Sequence, residues 1–151
     1  MVQMAELDLV VDVTQWGSID YTQSVALRHE VLRKPLGLVF DPSIFSQELQ
    51  DFHLVAKKGD WVVGCMILTK NGGSMKMRQV AVDPHCQRVG IGAKLVALAE
   101  RIAIGQETKE IILHARDSAL SFYLSLGYDI VGEGFEEVGI PHHAMRKSLI
   151  D

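Results

Sequence analysis

The chain has 151 residues, of which 48% are hydrophobic and 23% are charged, and its formal net charge is −4 at pH 7. This length allows one domain that buries a core without disulfides or metal, so we expect a single domain over residues 1–151. The acidic balance argues against a nucleic-acid partner. Because no apolar run is long enough to span a membrane and no basic-start signal is present, we expect a cytoplasmic protein without membrane contact.

The first half of the chain is predicted to contain mainly antiparallel strands. Apolar runs indicate strands at 7–13, 53–57, 61–68 and 75–82, and a helical pattern at 20–33 ends at Pro35 and Gly37. A looser stretch of about one helical turn follows Asp41. Two turn signals, Lys58-Gly59-Asp60 and Asn71-Gly72-Gly73, predict hairpins between the last three strands.

The second half alternates helices with strands. A helix is predicted from Gln87 to near Gly105, followed by a strand at 111–115 and a short helix at 118–126 that Gly127 ends. Two last strands at 128–131 and 142–149 are separated by a Gly-rich, acidic connection at 132–141. This order of elements predicts an α+β layer architecture with one helical crossover in its middle. The two cysteines, Cys65 and Cys86, do not make a disulfide framework.

The strongest chemical signal lies at residues 80–95, where an apolar strand and a Pro84 turn lead into Gln87-Arg88-Val89-Gly90-Ile91-Gly92 at the start of a helix. The first turn of a helix has unpaired N–H donors and the positive end of the macrodipole, so it attracts an anion. Two glycines leave these donors uncovered by side chains. Arg88 adds a cation that can fork onto phosphate, so we expect this segment to hold a pyrophosphate.

Two other phosphate-binding motifs fit the segment poorly. A P-loop requires Gly-x-x-x-x-Gly-Lys-Ser/Thr, a string that the chain lacks. A dinucleotide-binding fold requires a third glycine where this chain has Leu95 and an acid about 20 residues further on. Glu110 lies near that acid spacing, but too little chain follows for a doubly wound sheet.

The segment closely resembles the acyl-coenzyme A motif of the GNAT N-acetyltransferase superfamily. That motif reads Gln/Arg-x-x-Gly-x-Gly/Ala after a strand ending in Val-x-Pro or Val-Asp-Pro, and Gln87, Gly90 and Gly92 are in register with it. Residues 119–128 resemble the family's Ala-x-x-Phe-Tyr-x-x-x-Gly-Phe signature. Residues 139–145 resemble the Gly-Ile-Pro-His-x-x-Met ending of the ElaA-like branch, so the resemblance extends over residues 75–149.

This resemblance implies a fold and a co-substrate. The GNAT fold has a central, mostly antiparallel mixed sheet of six to seven strands that is splayed at a bulge beside the cofactor, with about four flanking helices. Acetyl-coenzyme A would lie with its pantetheine in the splay and its pyrophosphate on the helix start. Arg116 stands where many members have Asn. The implied cofactor residues are Val80, Ala81, Val82, Gln87, Arg88, Val89, Gly90, Ile91, Gly92, Ala93 and Arg116.

The resemblance also implies a general acid but leaves the base open. Tyr123 stands at the tyrosine of the Phe-Tyr signature, beside the cofactor sulfur, and a phenol with an ordinary pKa near ~10 stays protonated at neutral pH. No His/Cys cluster has metal-ligand spacing, so we expect no metal. The candidates for the general base, directly or through a water chain, are His29, Glu30, His53, His142 and His143.

The implied function is transfer of an acetyl group from acetyl-coenzyme A to a primary amine of a small molecule or peptide. A non-catalytic acyl-coenzyme A binding or sensing module is the alternative. Acceptor specificity is expected to reside in residues 20–49 and 132–141, which carry no recognisable motif. Homodimers are common among GNAT proteins, so a second copy of the chain is an expected partner beside the amine.

Overall fold

A single mixed sheet forms the centre of the computed structural model, which describes residues 8–86 and 89–150. The strands are β1 (Leu9–Thr14), β2 (Phe52–Lys58), β3 (Trp61–Asn71), β4 (Ser74–Val82), β5 (Glu110–Arg116), β6 (Asp129–Glu137) and β7 (Ile140–Ser148). The α-helices are α1 (Ile19–Arg28), α2 (Ser43–Ser46), α3 (Ile91–Gly105) and α4 (Leu120–Ser125). Within this part of the chain the sheet order is β1-β2-β3-β4-β5-β7-β6, and only β4 and β5 pair in parallel. The predicted α+β class and GNAT-like arrangement are confirmed.

Helices cover the two faces of the sheet. On β3, Gly64 lies under Ile91 and Leu95 of α3, and the next residue, Cys65, has its Sγ 3.8 Å from the Ser24 carbonyl oxygen of α1. Successive residues of a strand point to opposite faces, so α3 and α1 lie on opposite sides. The larger apolar core lies beneath α3, where its buried residues pack on β2, β3 and β4.

The sheet opens in its middle. Pairing between β4 and β5 covers only Ser74–Met77 opposite Glu110–Leu113, and both strands continue beyond it. A β-bulge interrupts the β3–β4 register between Cys65 and Ile67, and Gln79 in the bulge has a φ of 54°. A bulge bends the strand and increases its local twist. The two strands therefore diverge after Met77 and Leu113, and this is the predicted splay; we call the space between them the gap.

The prediction that residues 132–141 form a connection between the last two strands is wrong. β6 continues through Glu137, and the turn to β7 consists of Val138 and Gly139, which both have positive φ. A register shift between Val131 and Phe135 accommodates Gly132, whose φ is +75°. Because β6 is an edge strand whose residues are all exposed, it lacks the alternation of apolar and polar residues that marks a strand in the sequence.

The helix predicted at 20–33 is continuous, but it changes from an α-helix to a π-helical turn and then to a 3₁₀ turn. Ser18 caps α1 by accepting a hydrogen bond from the Tyr21 backbone N–H at 3.1 Å. After Arg28 the chain makes a π-helical turn at His29–Arg33 and a 3₁₀ turn at Lys34–Leu36, and it stops at Gly37 in the left-handed conformation. The π-helical turn lies above β4, close to the bulge.

A buried ion pair fixes α1 to the segment before β2. The Arg28 Nη1 and Nη2 atoms donate to Glu48 Oε1 and Oε2 at 3.0 and 2.9 Å, and the two side chains are 1% and 3% exposed. The Tyr21 hydroxyl donates to Glu48 Oε1 at 2.8 Å, and burial, with Glu48 adding to it, raises the pKa of Tyr21 to about 12. Phe40 lies against the Arg28 guanidinium, 5.0 Å from its carbon to the ring centroid. Residues 37–51 are thereby held over the sheet.

Replacement of Glu48 by Ala should destabilise the protein strongly. The change leaves the buried Arg28 charge without its carboxylate, which typically costs about 3–5 kcal/mol. Glu30→Ala is the control, because Glu30 and Lys34 are 60% and 65% exposed and such pairs contribute less than ~1 kcal/mol. Urea unfolding of both variants measures the difference. Equal losses would show that the Arg28–Glu48 pair has no special structural role.

Candidate functional site

The start of α3 lies directly after the diverging end of β4. From Val82 the chain passes through Asp83 and a 3₁₀ turn at Pro84–Cys86, and α3 begins at Ile91. Its N-cap residue, Gly90, has a φ of 82° and offers no side chain for capping. The first N–H groups of a helix have no intrahelical partner, so this helix start has donors available for an anion. Gln87 and Arg88 lie outside the described residues.

The two glycines of the motif have different surroundings. A Cβ on Gly90 would meet no described residue within 4 Å, and the left-handed backbone at this position also favours glycine. A Cβ on Gly92 would lie 3.1 Å from Cζ of Phe122 in α4. The described residues therefore leave space beside Gly90, whereas Gly92 allows α4 to pack closely on α3.

The residues predicted to bind the cofactor lie along the gap and the helix start. Val80, Ala81 and Val82 occupy the part of β4 that β5 does not pair, and the remaining described residues of the motif lead into α3. The side chains of Ala81 and Ile91 are buried, so these residues can offer only their backbone to a ligand. Their roles as cofactor contacts stay predictions.

Tyr123 lies in α4 beside two other aromatic rings. Its ring centroid is 4.9 Å from that of Phe122 and 5.9 Å from that of Tyr128, and the residue is 5% exposed. Burial raises the pKa of Tyr123 to about 12. Within residues 8–86 and 89–150 its hydroxyl has no hydrogen-bond partner. The phenol therefore keeps its proton at neutral pH, and that proton is not engaged by these residues.

A histidine that the sequence reasoning missed lies on the α1 side of the sheet. His114 is the first β5 residue after the pairing with β4 ends, and its Nδ1 is 3.0 Å from Glu137 Oε1. Its ring meets Phe135 edge to face at 5.0 Å between centroids. The other oxygen of Glu137 lies 3.6 Å from His142 Nε2. We call His114 and Glu137 the dyad.

The dyad has a defined tautomer when the imidazole is neutral. Burial alone would raise the pKa of Glu137, but the hydrogen bond from His114 and the nearby cationic groups outweigh it and leave the pKa below its ordinary value. An ionised carboxylate only accepts hydrogen bonds, so His114 donates through Nδ1. Its Nε2 then carries the lone pair, which is the requirement for a base.

One base candidate predicted from the sequence, His142, lies near the dyad, and the other four have different partners. His53 is buried with its Nε2 2.8 Å from the Glu48 carbonyl oxygen, and Glu30 is exposed beside Lys34. His142 and His143 point to opposite faces because they are successive residues of a strand: His142 Nδ1 donates to the Ile140 carbonyl oxygen, and His143 Nδ1 lies 2.7 Å from Asp117 Oδ1. His29 lies near Phe40, with 6.5 Å between ring centroids.

Two guanidinium groups lie near the gap on the same side as the dyad. Arg33 Nη2 is 3.5 Å from Gln79 Oε1 in the bulge, and Arg116 Nη2 is 3.5 Å from the Leu32 carbonyl oxygen. Burial, followed by the charges of Arg28 and Arg116, lowers the pKa of Arg33. In the described part of the chain no carboxylate oxygen lies within 4.0 Å of either guanidinium.

Residues 8–86 and 89–150 lack two other kinds of feature, a metal-binding group and a membrane-spanning helix. They contain no group of three or more His, Cys, Asp or Glu side chains arranged to hold a metal ion. No helix among them is both long enough and apolar enough to cross a membrane.

Comparison with known proteins assigns the family. The acetyltransferase (GNAT) domain family matches residues 30–149, which is most of the chain. The chain belongs to the GNAT family. It is 28% identical over 122 residues to the uncharacterized N-acetyltransferase YjcF of Bacillus subtilis, covering 80% of this chain and 87% of YjcF. It is therefore an acetyl-coenzyme A dependent acyltransferase, as the sequence predicts.

Solved structures share the fold. Escherichia coli ElaA superposes with a TM-score of 0.80 at 21% identity, covering 91% of this chain and 99% of ElaA. An aminoglycoside 6'-N-acetyltransferase complexed with coenzyme A gives a TM-score of 0.79 at 17% identity, covering 94% and 98% of the two chains. The use of an acyl-coenzyme A by this GNAT chain agrees with the open helix start and the gap.

Replacement of Gly90 by Leu should abolish acetyl-coenzyme A binding, because the side chain would fill the open space over the α3 donors. Gly72→Leu is the matched control: Gly72 also has a positive φ and open surroundings, but it lies in the β3–β4 hairpin. The backbone strain of about 1–2 kcal/mol should be similar in both variants. Calorimetric titration with acetyl-coenzyme A, alongside thermal unfolding, separates the effects. Unchanged affinity in a folded Gly90→Leu protein would refute the assignment of this helix start.

Proposed function

We propose that this GNAT enzyme transfers the acetyl group of acetyl-coenzyme A to a primary amine of a small molecule or peptide. The observation that carries the proposal is the gap between β4 and β5, which has a protonated phenol on one side of the sheet and a carboxylate-bonded imidazole on the other. Tyr123 lies on the α3–α4 side of the sheet, and the His114–Glu137 dyad lies on the α1 side beside the end of the β4–β5 pairing.

The gap and the start of α3 would both bind the cofactor. Acetyl-coenzyme A supplies an acetyl group activated as a thioester. We assign the backbone of Val80 and Val82 to the pantetheine arm, and the segment Gln87–Ala93 to the pyrophosphate. A backbone N–H near Val80 would stabilise the negative charge that develops on the carbonyl oxygen during transfer. Arg116, at the end of β5, is proposed as a further cofactor contact.

Tyr123 would serve as the general acid. Its hydroxyl keeps a proton that the described residues do not engage. As the carbon–sulfur bond breaks, Tyr123 would donate this proton to the departing sulfur. An acid positioned in this way typically contributes 10²–10⁴-fold to the rate.

His114 would serve as the general base. Glu137 holds its Nδ1–H, so Nε2 is left to accept the proton that the amine loses as the nitrogen–carbon bond forms. Phe135 restricts the orientation of the ring. Glu137 is a positioning residue in this scheme, because it touches the imidazole and not the reacting atoms.

The cytoplasmic location and the homodimer predicted from the sequence remain proposals.

Tyr123→Phe keeps the ring contacts with Phe122 and Tyr128 and removes only the hydroxyl. We expect turnover of an accepted amine to fall by roughly 10²–10⁴-fold, with little change in the affinity for acetyl-coenzyme A. Coenzyme A release measures turnover, and calorimetry measures affinity. Wild-type turnover in this variant would reduce Tyr123 to a packing role.

His114→Gln should lower kcat by about 10²-fold or more while acetyl-coenzyme A affinity stays unchanged. His143→Gln is the control, since His143 points to the opposite face and bonds Asp117. Glu137→Gln should keep part of the activity and alter the pH profile of kcat/KM, because a neutral amide no longer stabilises the imidazolium that forms. If His143→Gln lost as much activity as His114→Gln, the dyad would not be the base.

A further inference from the structure

We infer that the acceptor amine carries a carboxylate, bound by Arg33 with Arg116 beside it, so that the enzyme acetylates a small amino acid. The inference rests on the proposed function and names the substrate class of the same site. Its basis is the position of two neighbouring guanidinium groups, one of which contacts the bulge, that pair with no carboxylate among residues 8–86 and 89–150.

Arg33 lies beside the reaction centre of the proposed scheme. Its Nη2 contacts the side chain of Gln79, and Gln79 directly precedes Val80, whose neighbouring backbone N–H is assigned to the acetyl carbonyl oxygen. An anion on Arg33 would therefore sit only a few bonds from the reacting nitrogen. This separation fits an α- or β-amino acid better than a long diamine or a peptide with a distant carboxylate.

The charges around Arg33 leave an excess of positive charge. Arg28 is neutralised by its bidentate pair with Glu48. Arg33 and Arg116 repel each other, and of the carboxylates only Glu137 contributes a favourable interaction with Arg33. That carboxylate is itself engaged with His114 and His142. With neutral imidazoles, the two guanidinium groups and the one Glu137 carboxylate leave one net positive charge at a partly buried position, which matches a monoanionic ligand group.

Arg33 is also held in a suitable orientation. Its guanidinium carbon lies 4.9 Å from the centroid of the Phe40 ring, and Phe40 in turn lies against the anchored Arg28. A planar guanidinium restrained in this way binds a carboxylate through two parallel hydrogen bonds with little further loss of side-chain freedom.

The two ends of the site are complementary to an amino acid. The dyad presents Glu137 and the His114 lone pair, which would receive the amine, while Arg33 and Arg116 present positive charge to the acid group. The pyrophosphate is assigned to the α3 start, on the far side of Val82 from Gln79. Arg33 therefore serves the acceptor, whether or not one Arg116 donor also reaches the cofactor.

The test compares matched acceptors in the full-length protein. Glycine, β-alanine and phenylalanine are assayed with acetyl-coenzyme A beside their carboxamides, and aminomethylphosphonate is assayed beside glycine. We expect at least one acid to exceed its amide by about tenfold or more in kcat/KM. Arg33→Gln should remove this preference by lowering the rate with the acid only. Because each substrate is compared across variants, differences in amine basicity cancel.

The controls separate charge, fork geometry and folding. Arg146→Gln removes a cation that pairs with Glu110 at the other end of β5, so it should leave the preference intact. Arg33→Lys keeps the charge without the fork and should retain part of the preference; it also tests the site if Arg33→Gln does not fold. Calorimetry with acetyl-coenzyme A should give the wild-type affinity for all three variants.

A binding experiment tests the carboxylate site independently of turnover. N-acetylglycine and N-acetylglycinamide are titrated in the presence of coenzyme A, and the acid should bind more tightly only when Arg33 is present. If no amine releases coenzyme A, the proposed function fails, and this titration alone decides on the carboxylate site. Equal binding of acid and amide, equal rates for both, a preference for the phosphonate, or loss of acetyl-coenzyme A affinity in Arg33→Gln would each overturn the inference.

Discussion

The site depends on one constraint: β4 and β5 stop pairing after Met77 and Leu113. A gap inside a sheet leaves backbone N–H and C=O groups facing it, and such groups need partners when they are buried. An extended chain with amide groups can supply them as an added strand would. The bulge at Gln79 produces this gap, and the positive φ of that residue is the local conformational cost. The same divergence brings the end of β4 to the start of α3, so the strand opening and the anion-binding helix start form one continuous surface.

The two sides of the gap have opposite character. Below it, α3 and α4 form an apolar layer in which Tyr123 is held among aromatic rings. Above it, the α1 side is polar, because β5 places His114 and Arg116 there and the edge hairpin adds Glu137. The Arg28–Glu48 pair holds α1 and residues 37–51 in register with this polar surface. A protonated phenol on one side and a carboxylate-bonded imidazole on the other are the two proton-transfer groups that the proposed transfer to an amine would use.

Local signals in the sequence predicted most of the fold. Asn71-Gly72-Gly73 specifies a hairpin by itself, and this hairpin was correctly placed. The glycines of the motif predicted the helix that follows β4, but α3 begins at Ile91 and not at Gln87. The dyad depends on pairing between distant segments, since His114 and Glu137 meet only because β5, β7 and β6 are neighbours. The alternation Ile111, Leu113 and Ala115 inward does predict that His114 faces the other way. Its partner could not be predicted, because Glu137 lay in a stretch that reads as a loop.

The comparisons with solved structures concern the fold, whereas the polar α1 side of the sheet concerns the proposed binding of the acceptor. Structures at 17% and 21% identity share the fold, which is a property of backbone geometry that many sequences satisfy. In the proposed scheme, recognition of the acceptor depends instead on which charges the α1 side presents, and these charges differ among proteins of one fold. Arg33 illustrates this dependence: it lies in the π-helical turn that follows α1, and its ring partner Phe40 also packs on Arg28 of the buried ion pair, about one turn earlier in the chain. In the proposed scheme, specificity therefore follows from how one irregular helix end is anchored over a gap that belongs to the common fold.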